Sequence, residues 1–127
     1  MAKTTTPVKL SKVAAALQAA LPKDVMVIDV PLGSEVEVDV DVNAMTIPYT
    51  IALDTAVVIK SLVDRREPLP DMPVGTHRLS WGFSQTEKDW KQKVTLIVSG
   101  KKTVLDEKSE ANKDKDHTIG LAFLVVS

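Results

Sequence analysis

Hydrophobic positions along this 127-residue chain change their period once, near residue 24. Upstream, Leu10, Val13, Ala14, Leu17 and Leu21 recur at the spacing of a helix and make one narrow, alanine-rich stripe. Thr6 is a natural N-cap. Pro7 suits the first helical position, where its missing N–H would have no partner, and Pro22 ends the run.

Downstream the period is two. "DVMVIDV" is apolar on both faces except at Asp29, and "PLGS" turns the chain. In "SEVEVDVDVN" Val36, Val38, Val40 and Val42 alternate with Glu35, Glu37, Asp39 and Asp41, which predicts a strand with one valine face and one acid face. "TIPYTIAL" is a further strand, and Pro48, lacking a ladder donor, predicts an edge position or an irregularity there. Residues 54–66 stay open between two readings. Asp54 caps a helix with Val58, Ile59, Leu62 and Val63 inward, or Val57, Val58, Ile59 and Val63 form a strand; the β-branched residues favour the strand. "EPLPDMPVG" predicts a long loop. His77, Leu79, Trp81 and Phe83 then share one strand face. Residues 90–109 predict a hairpin about Ser99-Gly100-Lys101, with Trp90, Gln92, Val94, Leu96 and Val98 on one side. "HTIGLAFLVV" is apolar on both faces and predicts cover on both, with the alanine-rich helix, of the same chain or of a neighbour, close against Gly120 and Ala122.

Seven or eight short strands after a single helix predict a mainly β fold: an antiparallel, jelly-roll-like β-sandwich with one N-terminal α-helix. Residues 1–22 form the helical segment and 23–127 the sandwich, together one globular domain.

Charge adds an asymmetry. Residues 1–21 carry Lys3, Lys9 and Lys12 and no acid, whereas 22–54 carry Lys23 alone against seven acids. With a net charge of −1 and bases interleaved with acids, as in "KDKD", nucleic acid is not an expected partner. Nor is a membrane, since no apolar run approaches ~20 residues. The three lysines before "VAAALQAAL" look faintly like a secretory signal, but Gln18 interrupts the run, so no cleaved signal peptide is expected. With no cysteine in the chain, a cytoplasmic location or a place in an assembled particle fits.

The candidate chemistry is sparse. "DVDVN" matches the opening of a calcium-binding loop but lacks its glycine and closing glutamate. Same-face carboxylates lie about 6.6 Å apart on a strand, too far for four to converge on one ion, so no metal or other cofactor is expected. The acid row therefore faces water or faces cations. Lys91 and Lys93 alternate as the acids do. If the two strands are neighbours in one sheet, the result is an exposed charge ladder; if they belong to different subunits, the charges set orientation and partner. That second case makes Lys9, Lys12, Glu35, Glu37, Asp39, Asp41, Lys91 and Lys93 candidate interface residues. Tyr49 and Trp81 are candidates for stacking on a carbohydrate ring, although Trp81 shares its strand's apolar face. His77 and His117 have no nucleophile or metal-ligand spacing, so no catalytic residue and no enzyme is expected. The expected class is a non-enzymatic structural protein that packs with copies of itself or a scaffold as a homo-oligomer; a lectin-like carbohydrate-binding module is the alternative.

Overall fold

The computed structural model describes residues 12–22, 25–43, 46–84, 90–109 and 119–127. Helix α1 (Lys12–Ala20) precedes β1 (Met26–Val30), β2 (Val36–Asp41), β3 (Tyr49–Leu53), β4 (Ala56–Ser61), β5 (Arg65–Pro68), β6 (Gly75–Phe83), β7 (Lys91–Val98), β8 (Lys101–Ser109) and β9 (Ile119–Val126). Two sheets form, a five-stranded one ordered β1-β9-β6-β3-β4 and a four-stranded one ordered β5-β2-β7-β8. β1 and β9 run parallel, and the other neighbours are antiparallel. The fold is a mainly β sandwich with one helix.

The period-two pattern builds the core. Val36, Val38 and Val40 point from β2 into the sandwich and are buried, with Ile51, Leu79, Trp81, Leu96 and Leu124 from other strands. Each such side chain stabilises the fold by about 1.5–3 kcal/mol on burial. Tyr49 stacks on Phe83 with ring centroids 5.1 Å apart, and its hydroxyl donates to the Val63 carbonyl at 2.6 Å. The β7–β8 hairpin closes through Ser99 and Gly100, both at positive φ (49° and 84°). Two such residues give the turn the twist a two-residue hairpin needs.

Residues 54–66 are not a helix and not one strand. They form β4 at the edge of one sheet, a corner at 62–64, and the start of β5 at the edge of the other. β5 also takes Glu67 and Pro68 from the predicted loop, and at an edge the missing proline N–H leaves no gap in the ladder. β3 is central rather than at an edge, because Pro48 stands just before it and serves only as an acceptor, from Ser84 N–H at 2.8 Å.

The helix docks differently from the expectation. Ala14 is buried against Val27 and Val125, with Leu17, Leu21 and Phe123 around them. The Gln18 amide donates to the Val25 carbonyl at 2.9 Å and accepts from Val27 N–H at 3.1 Å. Those bonds fix the helix's rotation and leave Val13 60% exposed. Gly120 and Ala122 face inward instead, and a Cβ on Gly120 would come within 2.5 Å of the Trp81 indole. The outward face of β9 is covered at Phe123 and Val125 but not at Ile119 and Leu121, which are 70% and 37% exposed. Thr6, Pro7, Lys9, Leu10 and His117 lie outside the described residues.

Candidate functional site

The acid row divides into two halves. Its Asp41 end is a ladder within one sheet: Asp41 stands opposite Lys93 on β7, and Lys93 stands opposite Glu107 on β8. Asp39 stands opposite Arg66 on β5, and Arg66 reaches diagonally to Glu37 at 2.7 Å. Asp41 also accepts the Asn43 N–H at 2.7 Å. Lys91, opposite Ser109, is exposed on the same sheet. β2 and β7 are thus neighbours, and these acids stand beside cations of their own chain, with Glu37 ion-paired to Arg66. Such exposed pairs contribute about 0–1 kcal/mol each. Arg66 was not legible as a partner, because "RREP" carries no alternating apolar signal that marks it as a strand.

The Glu35 end opens into a groove of about 570 Å³ at one end of the sandwich. Val30, Val36, Leu69, Met72 and Val126 supply its apolar surface; among the described residues Glu35, Glu37 and Asp71 are its only charges, and no lysine, arginine or histidine lines it. One wall is the turn after β1. There Ser34 N–H and Oγ both donate to the Pro31 carbonyl, at 3.0 and 2.6 Å. Leu32 N–H donates to the Ser127 carbonyl at 2.9 Å, and Gly33 supplies a φ of 87°. The other wall, Pro68 to Met72, is joined to β2 by Leu69 N–H donating to the Val36 carbonyl at 2.8 Å. Three prolines and these backbone bonds preform the groove. Leu32 stands at its edge, 59% exposed. The second wall was invisible in the sequence, because more than thirty residues separate it from the first.

His77 restrains the chain just beyond that wall. Its Nδ1 lies 2.8 Å from Asp54 Oδ2 and its Nε2 lies 2.8 Å from the Pro73 carbonyl. Two acceptors call for two N–H donors, an arrangement that favours the imidazolium. The Asp54 bond and then the Pro73 carbonyl raise the His77 pKa, and His77 in turn lowers that of Asp54. With both nitrogens engaged, the ring is a clip rather than a base.

A second recess, about 740 Å³, adjoins Trp81, Asp106 and Lys108. Trp81 Nε1 donates to Asp106 at 2.8 Å and the Lys108 ammonium lies 3.3 Å from the same oxygen. The two charged side chains are 10% and 19% exposed. A register shift between Val94 and Thr95 breaks β8's period and brings Asp106 opposite inward-facing Val94, so alternation alone did not mark it.

Tyr49 and Trp81 are 3% and 4% exposed. Neither presents a ring face to solvent: Tyr49 lies against Phe83, its phenol pKa raised by burial, and Trp81 lies under Gly120. Their burial removes the geometric basis for sugar stacking. Lys12 is exposed at the start of α1, away from the acid ladder, and Lys9 is outside the described residues. Among the described residues no three His, Cys, Asp or Glu side chains are grouped to hold a metal ion, and no helix is long and apolar enough to cross a membrane. Comparison with known proteins adds no relative: no family model, no curated protein and no solved structure matches the chain.

Proposed function

We propose that this chain is a non-enzymatic structural protein that assembles with copies of itself, as a homo-oligomer or a component of a larger particle. The groove carries this reading. It is preformed, apolar within, and charged with one sign only, while the first twenty-one residues of the same chain carry the opposite sign only. A recess of one sign attracts a surface of the other and sets its orientation. The rest of the acid row stands opposite cations of its own sheet, so the contact is assigned to one end of the sandwich.

Light scattering across micromolar concentrations tests the reading. The expected result is a mass above the monomer at low salt that declines as salt screens the contact. A monomer at every concentration, indifferent to salt, overturns it.

A further inference from the structure

We propose that the acidic groove receives residues 1–11 of a second copy, so that two molecules exchange N-terminal segments; this rests on the self-assembly reading above. The segment "MAKTTTPVKLS" carries Lys3 and Lys9, no acid, and the apolar Val8 and Leu10. The groove offers the complement: Glu35 and Asp71 for the ammonium groups, and Leu69, Met72 and Val126 for the apolar side chains.

Placement supports exchange. Ala14 packs on Val27 and Val125, while Gln18, one turn later, bonds to Val25 and Val27. The helix therefore runs back along β1, and Lys12 lies toward the Val30 end, where the groove opens. Lys12, the residue that follows the segment, and the groove thus belong to the same end of the molecule. Two copies meeting end to end about a two-fold axis each give a segment and accept one, which closes the assembly at a dimer rather than a filament. Eleven residues reach up to roughly 36 Å when extended, enough to cross such a junction. The two contact sets then act together, each raising the effective concentration of the other.

The chain has no cysteine, so engineered thiols are unique. Val8→Cys and Met72→Cys are purified separately, mixed under mild oxidant and resolved without reductant. The expected product is the mixed disulfide dimer, in several-fold excess over either self-linked dimer. Glu35→Lys with Asp71→Lys is expected to weaken dimerisation about tenfold, which corresponds to ~1.4 kcal/mol. Adding Lys3→Glu with Lys9→Glu restores it. Circular dichroism confirms that each variant is folded. A double-cysteine chain that closes its disulfide within one monomer overturns the exchange. So does an assembly that persists undiminished after charge reversal, although self-assembly itself then stands. A monomer throughout removes both.

Discussion

The two recesses are similar in size and opposite in electrostatic design. Around Trp81, one carboxylate meets an indole N–H and an ammonium, so its charge is answered within the chain. In the groove, Glu35 and Asp71 share a lining with no cation at all. Burying an ion pair in the first tightens a core. The second lines a preformed surface with one sign, which is the feature the proposed self-assembly uses. The same residue type, an aspartate on or beside a strand, is therefore paired within the chain in one place and left facing an open groove in the other.

The comparison breaks most readily at Trp81. Trp81→Ala removes a buried ring and leaves a void, and is expected to cost about 3–5 kcal/mol, read from urea unfolding. Asp106→Ala comes next, at about 3 kcal/mol, because it strands the indole N–H and the Lys108 ammonium in a largely dry setting. Asp106→Asn keeps an acceptor for Trp81 and is expected to cost less; equal losses would show that the charge, not the hydrogen bond, matters.

His77→Ala is expected to cost about 1.5–3 kcal/mol below neutral pH, in the range of charged hydrogen bonds. The raised His77 pKa makes its contribution fully present below 6.5 and lost as pH rises through the folded value. The lowered Asp54 pKa makes its contribution present above 3.8 and lost as pH falls through its own folded value. The clip is thus strongest between the two limits. Thermal melts of wild type and His77→Ala should converge toward alkaline pH, and a constant gap between them would rule out the imidazolium. Smallest is Glu35→Lys, expected to change stability by no more than about 0.5 kcal/mol, since Glu35 is exposed and lies on the groove. A large loss on unfolding would place Glu35 with Asp106 as a structural residue.

The valine–acid alternation made β2 and its inward face legible, because side chains on a strand have no freedom but to alternate. The apolar runs gave most of the other strands for the same reason. What escaped was non-local. β5 reads as a charged proline segment until β2 lies beside it. Asp106 turns inward through a bulge that no periodicity records. The groove combines a turn near residue 33 with a proline-rich wall near residue 70. The helix docks through Ala14, Leu17 and Leu21 of its predicted stripe, and Gln18 adds polar bonds that the apolar period did not mark.

That glutamine has a wider effect. The outermost strand of a sheet is a template on which other chains grow. By occupying one donor and one acceptor at the rim of β1, the side-chain amide takes the place that a foreign strand would claim. The helix becomes a safety catch against runaway fibre growth. A further strand approaching β1 finds that donor and that acceptor already taken.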